Sequence, residues 1–135
     1  VAGNETAQQD IYTKTRGVKE WKMKRFGDFP AFVKSLPEVD LPFPGARGWM
    51  LQGDSQQVVF VEFDEDLEVP EHAHAEQWEF CLEGAVVLRR GMGDELFHAG
   101  ENFFIPAGSP HSATVHAPYR AMIVFNAPDR YKKKN

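Results

Sequence analysis

Disulfide chemistry is missing from this chain. One cysteine, Cys81, stands among 135 residues, so no intrachain bridge can form and the mark of an oxidising compartment is absent. A lone cysteine in an apolar stretch reads as a small buried hydrophobe rather than as a nucleophile. Long apolar runs are missing too: nothing approaches the roughly 20 residues of a membrane-spanning helix, and no basic segment followed by an apolar one marks a signal peptide. The first residue, Val1, is compatible with a leader already removed, and the expectation from the rest is a cytoplasmic protein with no membrane partner. Positive charge is scarce. Fifteen Lys and Arg against 20 Asp and Glu give a net charge of −5, which leaves no basic footprint for nucleic acid. Its one concentration, residues 132–134, reads as a solvated tail. No internal repeat is present, and the length suits a single core. The sequon Asn4-Glu5-Thr6 is too short a pattern to carry weight.

Long helices are excluded early. Pro37, Pro42 and Pro44 interrupt the first third of the chain, although Pro30 is placed to open a short helical turn as its first residue. Residues 1–44 therefore read as an irregular N-terminal arm, with one strand-like piece at 11–15, and a crossing strap held down by Phe29, Phe32, Leu36, Leu41 and Phe43. From residue 45 the pattern changes to short strands with turn punctuation, that of an all-β sandwich or barrel. Strands are expected at 48–52, 57–63, 78–82, 85–90, 95–98, 102–105, 112–116 and 120–125. The barrel would span 45–126 and a tail 127–135, with Trp49, Phe60, Phe63, Phe104 and Phe125 as core aromatics.

Residues 70–84, P-E-H-A-H-A-E-Q-W-E-F-C-L-E-G, carry the chemistry. Alternate side chains of a strand share a face, so His72 and His74 would present both imidazoles to one space, an arrangement suited to a metal. Downstream, residues 100–111, G-E-N-F-F-I-P-A-G-S-P-H, end in a third histidine. Together the two stretches resemble the paired motifs of the cupin superfamily. Gly100, Pro106, Gly108 and His111 fall at the spacing of the second motif, whose final asparagine is replaced by Val115. His72, His74 and Gly84 match the first, in which Asp66 replaces the leading glycine. The motif's glutamate falls on Gln77 counting back from Gly84 and on Glu79 counting forward from His74. Gln77 is favoured, because the strand leading into Gly84 sets its own pleat while the turn after His74 can lose a residue.

The resemblance implies a jelly-roll barrel, or double-stranded β-helix, with a ligand site in its mouth, and a divalent metal (Zn, Fe, Mn, Ni or Cu) held by His72, His74, Gln77 and His111. It also implies a homodimer, in which the arm would pair with a second subunit. Gln77, Glu79 and Cys81 would face inward and Trp78, Phe80 and Leu82 outward. A carboxylate in an apolar barrel must be paired, metal-bound or protonated, so Glu79 is the candidate acid or base, with a ligand role or an arginine partner as the alternatives. Glu76 reads as a solvated turn residue or an acceptor for a ligand histidine. Of Arg89 and Arg90, one points inward on the strand and could meet an anion, although exposure is the commoner fate. His98 and His116 lie off the motif spacing. The expected function is a small metalloenzyme, an isomerase, lyase or relative, acting on a compact oxygenated small molecule such as a sugar acid or dicarbonyl. The alternatives are a binding module without chemistry and an iron-dependent dioxygenase.

Overall fold

Residues 57–63, Q-V-V-F-V-E-F, alternate so that Gln57, Val59, Val61 and Phe63 turn to one face and are buried there, and the computed structural model forms a strand over them. The structure describes residues 12–15, 18–21 and 25–135, the first two stretches as backbone only, so the sequon and most of the arm lie outside the described residues. The elements are β1 (Tyr12–Thr15), β2 (Val18–Trp21), α1 (Ala31–Lys34), β3 (Ala46–Gln52), β4 (Gln57–Phe63), β5 (Leu67–His72), β6 (Gln77–Arg89), β7 (Asp94–His98), β8 (Asn102–Ile105) and β9 (His111–Phe125). Strands β1 and β2 form a hairpin of their own. The other seven are antiparallel, ordered β3-β4-β9-β6-β7, with β5 on β9 and β8 on β6. This is the all-β architecture that the strand pattern implied, in the jelly-roll form that the motif resemblance implied.

Two strands run longer than the sequence suggested. Segments 78–82 and 85–90 are parts of one strand, β6, and segments 112–116 and 120–125 are parts of β9. The reason for the apparent break is a double bulge. The β6–β9 register shifts between Cys81 and Glu83 and again between Glu83 and Ala85. Before it the odd residues Gln77, Glu79 and Cys81 face inward; after it the even residues Val86 and Leu88 do. The bulge lets one strand bend across both layers, pairing β8 with its first part and β7 with its last. Gly84 sits at this corner with φ 80°, and a Cβ there would stand 2.2 Å from the Pro118 carbonyl oxygen.

Apolar side chains fill the barrel, and a smaller cluster of Phe29, Val33 and Trp49 lies outside it, under the strap. Two expected anchors face away. Phe32 is 74% exposed, because Val33 is the residue of α1 that turns inward, and Phe104 is 48% exposed, because Phe103 and Ile105 take the inner face of β8. Pro30 precedes α1 as its cap in extended backbone instead of forming its first residue. The segment expected as a free tail is fastened through its backbone: Lys134 N–H donates to the Glu38 carbonyl at 2.7 Å and Asp40 N–H to the Lys132 carbonyl at 2.9 Å. Gln57 holds its start, donating to the Pro128 and Tyr131 carbonyls and accepting from Tyr131 N–H.

Gly84→Ala is expected to lower stability by about 2 kcal/mol or more, because the new methyl group meets backbone and the residue must keep a left-handed conformation. Chemical denaturation measures this, and an unchanged midpoint would refute the role given to the bulge.

Candidate metal centre

The histidine pair is not carried by one strand, as its spacing suggested. β5 ends at His72, opposite His111 at the start of β9, and His74 lies in the turn beyond. That turn is tied to the second motif by the Gly108 N–H, which donates to the His74 carbonyl at 2.9 Å; Gly108 makes the approach with φ 74°. The rings converge all the same. Their centroids lie 5.1 Å apart for His72 and His74, 4.3 Å for His72 and His111, and 4.9 Å for His74 and His111. One nitrogen from each lies within 4.8 Å of the others, a group able to hold a metal ion.

Hydrogen bonding decides which nitrogens are free. Each Nδ1 lies against a backbone carbonyl, of Pro70 for His72 (2.8 Å), of Ala75 for His74 (2.7 Å) and of Ser109 for His111 (2.9 Å). A carbonyl only accepts, so each Nδ1 carries the proton and each Nε2 the lone pair. The Nε2 of His74 is buried with no partner among the described residues. Burial holds the pKa of His74 down to about 4 and lowers that of His111, so both rings are neutral near pH 7, the form that binds metal. Three clustered imidazoles, each with its Nδ1 against a carbonyl, and one orphaned buried nitrogen fit a divalent transition metal.

Gln77, Glu79 and Cys81 face the barrel interior, as the strand alternation predicted. Glu79 is not part of the three-ring group. Its Oε1 accepts from Gln77 Nε2 at 2.8 Å, which leaves the amide oxygen as the atom of Gln77 that a cation could take. Its Oε2 accepts from the Tyr119 hydroxyl, which also lies 3.2 Å from Cys81 Sγ. Burial raises the Glu79 pKa to about 7, against the lowering effect of these two donors, and raises the Cys81 thiol to about 12, in keeping with an inert side chain.

Other expected positions fall elsewhere. Arg89 donates to Thr114 Oγ1 at 2.8 Å and Arg90 meets Glu95 at 2.9 Å, so neither enters the cavity. Glu76 accepts from the Asn126 side chain at 2.8 Å, while the histidine N–H groups go to carbonyls. His98 pairs with Glu101 on the surface, and His116 is exposed. Asp66, in the place of the motif's glycine, accepts the Ala117 N–H, and Val115, in the place of its asparagine, is core. The residues that the sequence reading missed are Tyr119 and Arg130. Arg130 lines both compartments of the cavity, an inner one of about 90 Å³ with His72, Gln77, Glu79 and His111 and an outer one of about 230 Å³ with His72 and His74. The available signal was a cation followed directly by an aromatic residue, just past the last strand.

A cupin-domain family model matches residues 59–125, which hold every polar group of the site except Arg130. The chain belongs to the cupin superfamily. A search of curated proteins found no match. Among solved structures this cupin is similar to KdgF from Halomonas sp., with a TM-score of 0.59 at 21% identity over 68% of this chain and 88% of that one. It is similar to an RmlC-like cupin from Shewanella frigidimarina, with 0.57 at 26% identity over 70% and 86%. A deletion mutant of Bacillus subtilis oxalate decarboxylase OxdC aligns with 0.61 at 14% identity, over 72% of this chain but 29% of that longer one. No helix among the described residues is long and apolar enough to cross a membrane.

Two outcomes are expected here. His74→Ala or His111→Ala should cut the metal retained after dialysis by about tenfold or more, measured by elemental analysis, and equal retention would remove the histidines from the site. In chelator-treated protein Glu79 holds its proton more tightly when folded than when unfolded, because its pKa rises from 4.5 to about 7. Its stabilising contribution is then complete below the unfolded value and is lost as pH rises through the folded one. Glu79→Gln should remove that decline from a Tm profile between pH 5 and 8.

Proposed function

We propose that this cupin is a metal-dependent enzyme acting on a compact oxygenated substrate, such as a sugar acid or dicarbonyl, with Glu79 moving a proton. The metal would be one divalent transition ion, held by His72, His74, His111 and the amide oxygen of Gln77. The observation that carries the reading is a buried carboxylate lining one small cavity with His72 and His111, two of the three clustered imidazoles. When bound, such an ion supplies a Lewis acid for the substrate's oxygens, and with neutral ligands its charge stays uncompensated.

The side chains do the rest. Gln77 and Tyr119 each donate to one oxygen of Glu79 and hold the carboxyl plane in place. Both donors are neutral, and in the metal-free protein burial raises the Glu79 pKa to about 7, a range suited to either acid or base work. Phe103, Val115, Ile123 and Phe125 wall the cavity and exclude water from the transfer. The two-histidine, one-carboxylate set common in iron oxygenases is not what these residues form, which disfavours the dioxygenase alternative.

One observation favours a binding module without chemistry: both Glu79 oxygens already have partners, as a purely structural carboxylate would. The readings separate on Glu79→Gln in metal-loaded protein, assayed against a panel of sugar acids and dicarbonyls. Turnover should fall at least about a hundredfold with metal content unchanged. Loss of metal would make Glu79 a ligand, and binding of panel members with no product from any would favour the module.

A further inference from the structure

Among the described residues, Arg130 is the arginine whose charge is left unanswered. Arg25, Arg47, Arg89, Arg90 and Arg120 each meet a carboxylate. Arg130 meets none: its Nε is buried without a hydrogen-bond partner, and its guanidinium rests 4.4 Å from the Tyr131 ring centroid and 5.6 Å from that of Phe125. Its position is built. Gln57, itself buried, clamps the backbone on both sides through Pro128 and Tyr131.

The aromatic faces orient the guanidinium but do not neutralise it. A part-buried cation without a counter-ion is unfavourable, and the compartments that Arg130 lines are where an anion can reach it. A planar fork of N–H donors matches a carboxylate in two places at once, which a neutral carbonyl or hydroxyl does not reproduce. The inner compartment, about 90 Å³, has room for only a few non-hydrogen atoms.

We propose that Arg130 is the residue that selects the substrate class: a small carboxylic acid whose carboxylate pairs with Arg130 while a hydroxyl or carbonyl oxygen on the same short chain reaches the histidine group. Neutral sugars and neutral dicarbonyls are then poor ligands. The inference rests on the enzyme reading only in taking this cavity as the substrate site.

The test is binding to metal-loaded protein by calorimetry and thermal shift, with pyruvate and glycerate set against hydroxyacetone and glycerol as probes. The acids should bind about tenfold or more tightly than their neutral counterparts, a preference that weakens with added salt. Arg130→Gln should abolish that preference without changing metal content or the affinity for hydroxyacetone, and Arg130→Lys should restore part of it. Should the glutamine variant fail to fold, the lysine variant and the wild-type acid-to-neutral ratio still decide. Equal binding of acids and neutral probes by the wild type, or an undiminished preference in the variants, overturns the proposal. Acid-selective binding with no turnover upholds it and counts against the enzyme reading; turnover of a neutral carbonyl, undiminished in Arg130→Gln, overturns it and leaves that reading standing.

Discussion

Strand β9 is bonded to β6 along nearly its whole length, and that one ladder decides where each polar group of the site can stand. Tyr119, Ala121, Ile123 and Phe125 turn inward from one strand, and Gln77, Glu79 and Cys81 from its neighbour, so the Tyr119 hydroxyl and the Glu79 carboxyl meet on the inner face that the two strands share. The far end of β9 presents His111 opposite the end of β5. A one-residue slip would turn every one of these side chains to the outside. The bulge at Gly84 is what allows a single ladder to serve both layers, since it reverses the parity of β6 and keeps Val86 and Leu88 in the core.

The interior polar groups divide into two kinds by how they are satisfied. Glu79, Gln77, Tyr119 and the three Nδ1 atoms have partners within the chain, as buried groups ordinarily do. The Nε2 of His74 and the Nε of Arg130 have none among the described residues, and each such group is unfavourable by about 1–3 kcal/mol. A comparison with Arg120 is instructive. Its Nε also lacks a hydrogen bond, yet Asp28, Glu62 and Glu83 surround it, so its charge is answered on the outer face of the sheet and its role is structural. Unsatisfied groups that line a cavity are different, because a ligand can complete them.

Much of the centre was legible beforehand. The cupin-like spacing singled out His72, His74 and His111, and the period of a strand placed Gln77 and Glu79 on one face. The same period failed locally for His74, which lies past the end of β5, and convergence there depends on the hydrogen bond from Gly108 to its carbonyl. Arg89 and Arg90 were open candidates because a strand must point one of them inward; acidic and hydroxyl partners on neighbouring strands draw both away.

By itself the sequence determined the all-β class and the lone buried cysteine, because these follow from periodicities of a few residues that the backbone reads locally, and its resemblance to the paired cupin motifs joined the three histidines. Only the tertiary structure decided that Tyr119 would cap Glu79 from forty positions away and that a supposed tail would carry Arg130 into the cavity. Those contacts depend on which strands become neighbours and on a clamp between Gln57 and Tyr131, seventy-four residues apart, and no local pattern encodes partners so distant along the chain.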